Sequence, residues 1–141
     1  MNQYNLNRFI DAQMATYEGA ILELAQGRKE SHWVWYIFPQ IEGLGRSDTA
    51  KFYSIKSLEE GRAYLGHPLL GPRLIEACEI LLSLKDASMD EVMGFPDDLK
   101  LLSSMTLFET LSDSNSIFTK IIELYFDDVR DDASLKILQR L

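Results

Sequence analysis

The stretch "HWVWYIFP", residues 32–39, leaves no side of the chain for water, and its reading decides the fold. As a strand it would place Trp33, Trp35 and Ile37 on one face and Val34, Tyr36 and Phe38 on the other. As a helix capped by Ser31 it would be apolar all round. Both geometries require other elements to surround it, so a buried aromatic segment is expected at 32–38. Pro39 ends the run, because it carries no backbone N–H. "IEGLGRSD", residues 41–48, then emerges as a glycine-bearing loop, and Ser47 can cap a short helix through "TAKFY".

On both sides of this segment the chain reads as helix. Between residues 5 and 27, Ile10, Met14, Tyr17, Ile21 and Leu24 recur at spacings of four and three, one stripe of an amphipathic helix that Gly27 stops. Ser57 and Glu60 have capping-box spacing ahead of "LEEGRAYL", and "HPLLG" interrupts that helix. "PRLIEACEILLSL" sets Leu74, Ile75, Cys78, Leu81 and Leu82 on one face. Ser88 and Glu91 repeat the capping-box spacing. Pro96 with Asp97 and Asp98 then opens a helix to about Leu111. Ile117, Ile121, Ile122 and Tyr125 mark another helix, and "DDASLKILQRL" a last one. No hairpin turn, alternating strand series, repeat or low-complexity tract occurs. The expected fold is all-α: one compact domain over residues 1–141, with about six to eight helices.

A chain of 141 residues, 46% hydrophobic, is sufficient for a single core. The polar start "MNQYNLNRFI" is unlike a signal peptide, and no apolar run approaches the roughly 18 residues of a membrane span. With the lone Cys78 unable to form an internal disulfide, a soluble cytoplasmic protein is expected. The net charge of −8 opposes nucleic-acid binding. Residues 27–56 run against that balance: five Lys/Arg against three acids give them +2, which leaves −10 for the remainder. A locally cationic segment can attract a small anion such as a phosphate or carboxylate.

Familiar catalytic signatures are absent, including GxSxG, the phosphate-binding GxxxxGK[ST], HExxH and paired CxxC. "GLGRSD" lacks the third glycine and the preceding βαβ unit of a dinucleotide site. Two histidines and one cysteine show no metal-ligand spacing, so no metal is expected, and no cofactor is identified. Cys78 reads as a core residue and His67 as part of a helix junction.

The candidate site lies along residues 28–47. Arg28 and His32 border the aromatic run, Trp35 offers a ring for stacking, and Gln40 follows Pro39. Gly43 and Gly45 would let the backbone approach a ligand, Arg46 can hold an anion bidentately, and Ser47 can complete an anion nest. Arg73, Lys100 and Ser104 are candidates from farther along the chain. Lys100 and Ser104 stand four apart on one helical face, a spacing open to a nucleophile with its base or to a hydrogen-bonding helix face. Singly, each residue also has a structural reading, with the tryptophans in the core, the glycines in a turn and Arg46 on the surface.

The blocks "GRKESHWVWYIFPQIEGLGRS" (27–47), "HPLLGPRL" (67–74) and "PDDLKLLSSMTLF" (96–108) resemble a family of uncharacterised bacterial proteins, the domain-of-unknown-function family numbered eighteen-ten. The resemblance runs from "LNRFIDAQ" to the final helix and implies a mainly α-helical protein. Val34 and Tyr36 stand where the family commonly has Met and Phe. It carries no settled activity. Some members bear the label calpastatin, but calpain-inhibitory segments are proline-rich and flexible, whereas this chain has four prolines and the composition of a packed core. Two readings stand. One is an enzyme or sensor for a small anionic, phosphate-bearing or nucleotide-like molecule. The other is a protein-interaction or inhibitor module.

Overall fold

The computed structural model describes residues 4–141. Among these residues it has nine helices and no strand: α1 (Asn7–Ala25), α2 (Val34–Ile37), α3 (Asp48–Tyr53), α4 (Leu58–Gly66), α5 (Leu70–Ser83), α6 (Met89–Met93), α7 (Asp97–Thr110), α8 (Ile117–Tyr125) and α9 (Asp132–Leu138). The all-α expectation holds. The count exceeds six to eight because the aromatic run forms a helical turn of its own, α2. None of these helices is long and apolar enough to cross a membrane.

The helix boundaries follow from local chemistry. Ser47, Ser57 and Ser88 each accept a hydrogen bond from the backbone N–H three residues on, as N-caps do, and Ser116 and Asp131 do the same for α8 and α9. α1 ends in a Schellman motif. Gly27, at φ 78°, donates its N–H to the carbonyl of Leu24, and Arg28 donates to that of Glu23. Gly71 lies where α5 meets the end of α4: a Cβ there would stand 2.1 Å from the Leu65 carbonyl oxygen, so only glycine fits.

α1, α4 and α8 pack on α5, and α7 packs on α8 and α9. α7 is enclosed on nearly every side, with Leu101 and all of residues 103–108 buried. The polar face expected from Lys100 and Ser104 is therefore restricted to the first turn of this helix. Ser103 and Thr106 turn their hydroxyls back to the carbonyls of Leu99 and Leu102. Around α7 the core closes with Tyr64, Phe108 and Phe118 in ring contact and with Cys78 against Met105.

The stripe expected on α1 is shifted. Met14 is 77% exposed, while Arg8 and Gln13 are buried beside Phe9, Ala20 and Leu24. These polar side chains are buried because each is fully engaged. Gln13 donates to the Tyr36 carbonyl at 2.7 Å. The Arg8 guanidinium donates to the carbonyls of Tyr4, Asn5, Phe52 and Ser54 and pairs with Glu60 at 2.5 Å. Glu60 also accepts from the Lys56 N–H, so α1 is stapled to the α3–α4 connection. Next to the staple, Ile55 forms an isolated parallel bridge with Ile41, donating to the Gln40 carbonyl and accepting from the Glu42 N–H.

Removing one partner of a buried, hydrogen-bonded ion pair costs about 3–5 kcal/mol. Arg8→Ala is expected to lose that much in urea denaturation, and a loss below about 1 kcal/mol would show that the staple is dispensable. Cys78 is fully buried, and burial pushes its thiol well above the usual range. A thiol reagent should label native protein slowly and denatured protein at once.

Candidate functional site

Glu23, near the end of α1, organises the approach to the aromatic segment. The Schellman turn brings the chain back over its carboxylate. Oε1 accepts from the N–H groups of Glu30 (2.7 Å) and Ser31 (2.9 Å) and from the Trp33 indole (2.9 Å), and Oε2 accepts from the Ser31 hydroxyl (2.7 Å). Burial pushes this carboxyl up, but the four donors together outweigh it and hold its pKa at about 2.

With Trp33 fixed in the core, the single turn of α2 divides the aromatic run. Trp33 and Ile37, like Val34 and Phe38, are four apart and face inward, and all four are buried. Trp35 and Tyr36 fall on the opposite side and are half-buried, while His32 is exposed. The expected enclosure of 32–38 is corrected accordingly: helical periodicity leaves the segment one side that the other helices do not cover.

Lys29 links this segment to α7. Its backbone N–H donates to the Val92 carbonyl at the end of α6, and its side chain is only 5% exposed. The ammonium donates to the Ser31 carbonyl, stands 5.1 Å from the Trp33 ring centroid and pairs with Asp97 at 2.7 Å. Asp97 opens α7 and also meets Lys100 at 3.3 Å, whose ammonium lies 4.9 Å from the Trp35 ring centroid.

A cleft of about 340 Å³ opens beside Lys100, lined by Trp35, Gln40, Leu44, Gly45, Arg46, Ser47, Ala50 and Lys100. Arg46 is exposed and, among the described residues, makes no hydrogen bond or ion pair. A recess of about 20 Å³, lined in part by Gly43, shares Trp35, Gln40 and Gly45 with the cleft and has room for about one water. A larger hollow of about 490 Å³ lies by the Arg8 staple, but its ionised groups are already engaged: Arg8 pairs with Glu60, and the Lys56 ammonium donates to the Ser54 hydroxyl and meets Glu42 at 3.7 Å.

Residues 3–138 match the family described as "Protein of unknown function (DUF1810)". The chain belongs to that family. Its fold is shared by the conserved hypothetical protein Rv1873 from Mycobacterium tuberculosis, whose crystal structure superposes with a TM-score of 0.94 at 44% identity, covering 96% of this chain and 97% of that one. No curated protein matches the chain.

In this DUF1810 protein the cleft brings together six of the residues singled out from sequence: Trp35, Gln40, Gly45, Arg46, Ser47 and Lys100. Gly43 stands in the adjoining recess. Four others lie elsewhere. His32 borders a separate hollow of about 210 Å³ against α1 with Glu23 and Tyr36. Arg28 closes the Schellman turn with its backbone N–H and leaves its side chain exposed, away from the cleft lining. Arg73 stacks on the Tyr17 ring at 4.4 Å and donates to Gln13. Ser104 is fully buried and its hydroxyl has no partner among the described residues, so it does not share the cleft face of Lys100.

Two of the six also serve the fold directly. A Cβ on Gly45 would stand 2.4 Å from that of Ala50, so its bareness admits α3 rather than a ligand. The Ser47 hydroxyl is engaged as the α3 cap at 3.1 Å. Sequence reasoning missed Lys29, Asp97 and Glu23. The i,i+3 spacing of Asp97 and Lys100 is visible along the chain, but nothing local announces a partner 68 residues away.

The depressed pKa of Glu23 makes the stability of the fold depend on pH. An ordinary Glu titrates near 4.3, so its depression in the fold stabilises the protein above that pH and is lost as pH falls toward about 2. Glu23→Gln is expected to cost about 1–3 kcal/mol at pH 7, the scale of hydrogen bonds to a charged group. The gap in melting temperature between native protein and variant should close between about pH 4 and 2. A gap independent of pH would show that Glu23 contributes by packing instead.

Proposed function

We propose that the cleft between α2, the 40–47 loop and α7 binds a small anionic molecule, phosphate-bearing or nucleotide-like, which the protein senses or acts upon. One observation carries this reading: both ionised side chains lining the cleft are cations, beside a half-buried tryptophan. Arg46 has no competing partner among the described residues and can take up two oxygens in parallel. Lys100 supplies a compact charge, Trp35 a ring on which a planar group can stack, and Gln40 both a donor and an acceptor. The lining has no carboxylate, histidine or thiol. What it offers by itself is recognition and electrostatic stabilisation rather than proton abstraction.

A protein-interaction role has its own observation in support. Phe95, just before α7, and Leu99, in its first turn, are 75% and 48% exposed. An apolar pair of this size is common on soluble proteins, whereas two cations lining one cleft are matched to a ligand of definite charge.

The test is a thermal-shift screen over nucleotides, sugar phosphates, inorganic phosphate and carboxylates, repeated on Arg46→Ala. A ligand at 100 times its Kd adds about 2.7 kcal/mol of stability. Because Arg46 is exposed and has no partner among the described residues, its truncation should change the stability of the free protein by less than about 0.5 kcal/mol. The same truncation should weaken the best phosphate-bearing ligand by at least about tenfold. Unchanged affinity in Arg46→Ala would remove the cleft from consideration.

A further inference from the structure

We infer that the cleft is matched to a doubly charged phosphate monoester carried on one planar ring, a molecule with the size and charge of a nucleoside monophosphate. The inference rests on the anion-binding reading above and adds to it a specific charge. Only two lining side chains ionise, Arg46 and Lys100. Lys100 does face an acid, Asp97, at 3.3 Å, but Lys29 meets that carboxylate more closely, at 2.7 Å. Lys29 is also the more enclosed of the two lysines, with a side chain 5% exposed against 28%. It has no other carboxylate partner among the described residues. Lys29 therefore neutralises Asp97, and the charge of Lys100 is left over for the cleft. Arg46 adds a second uncompensated charge.

Two such cations beside a partly enclosed space call for two negative charges. A singly charged ligand leaves one cation unpaired on losing water, and a more highly charged one brings charge that meets no partner. At pH 8 a phosphate monoester is close to doubly ionised, since its second pKa is about 6. A carboxylate or a cyclic phosphodiester carries a single charge, and a triphosphate carries more than two. Size agrees with charge: about 340 Å³ lies near the small end of ligand pockets, which run from about 300 to 1,000 Å³, so it suits one ring and one phosphate.

Trp35 supplies the readout. In the free protein the Lys100 ammonium rests over its ring at 4.9 Å. A cation–π contact at a partly exposed site is weaker than a charge-assisted bond to a dianion, so a bound monoester draws the ammonium to its phosphate and leaves the ring face to the ligand. Trp33, the other tryptophan, is buried and held by Glu23, so a change in emission reports on Trp35.

The experiment is calorimetry at pH 8 with the 5′-monophosphates of adenosine, guanosine, cytidine and uridine. For the base that binds best, its 3′,5′-cyclic monophosphate and 5′-triphosphate follow, with inorganic phosphate and nicotinate as partial ligands. The monophosphate should bind at least about tenfold more tightly than the cyclic form, phosphate or nicotinate, and the triphosphate should be no tighter. Tryptophan emission should respond to the monophosphate in native protein and not in Trp35→Phe. Lys100→Met and Arg46→Ala, each leaving one cation, should erase the preference for monoester over cyclic form. If the cyclic form or the triphosphate binds as well or better, or if both variants keep the preference, the charge match is wrong while anion binding itself can stand. If none of these anions binds and the emission is unmoved, both readings fall.

Discussion

The buried guanidinium of Arg8 is the constraint through which the loop bearing the cleft is held. A charge taken out of water is tolerated only where every donor finds an acceptor. Arg8 finds the carbonyls of Tyr4, Asn5, Phe52 and Ser54 and the carboxylate of Glu60, with its planar head also 4.3 Å from the Phe9 ring centroid. Two of those acceptors, Phe52 and Ser54, belong to the end of α3 and the residues just after it. From there the constraint passes along the backbone: Ile55 bridges Ile41, Gln40 and Glu42 are bonded to it, and the loop carrying Arg46 leaves from that point. The geometry of an exposed arginine is thus traced back to a buried one some 38 positions earlier in the chain.

The other wall of the cleft depends on a second polar centre built on opposite logic. Glu23 is an acceptor that gathers donors from a loop, and what it fixes is the rotation of the aromatic segment about its own axis. Once Trp33 is anchored by its indole N–H, a helical turn places Trp35 on the far side, facing the start of α7. Lys29 leaves the same loop and neutralises Asp97, so Lys100 is held over Trp35 without its charge being cancelled. The α1 terminus, the aromatic turn and the first turn of α7 therefore act together on one ammonium group.

Much of this architecture is readable along the chain because its causes are local. The caps Ser47, Ser57 and Ser88, the stop at Gly27 and the spans of α5, α7 and α8 all follow from interactions within a few residues. Trp35, Gln40, Gly45, Arg46 and Ser47 share the cleft partly because they are neighbours in sequence, separated by one turn and one loop. What composition and periodicity could not supply was pairing at a distance. Arg8 and Gln13 look like solvated positions on α1 until Glu60, Ser54 and Tyr36 are brought to them. Ser104 looks like a polar partner for Lys100 until α7 is seen to be enclosed. The division between Trp33 and Trp35 follows from one hydrogen bond to a residue ten positions earlier.

The placement of two uncompensated cations on a chain of net charge −8 also bears on how a ligand would be selected. An anion approaching from a distance meets an unfavourable field, because the cationic stretch is outweighed by the acids elsewhere. At physiological ionic strength that field fades over about 8 Å, so repulsion acts mainly on the approach, while the contacts with Arg46 and Lys100 act after arrival. Highly charged anions suffer most from the first effect and gain nothing further from the second, since the lining offers no third cation. Weakly charged ones escape the repulsion but leave a cation unpaired. For an anion bound as proposed, the acidic remainder of the chain and the two-cation lining would act in the same direction, each disfavouring a different class of competitor, so that selection would depend on charge number before it depended on the shape of a ring.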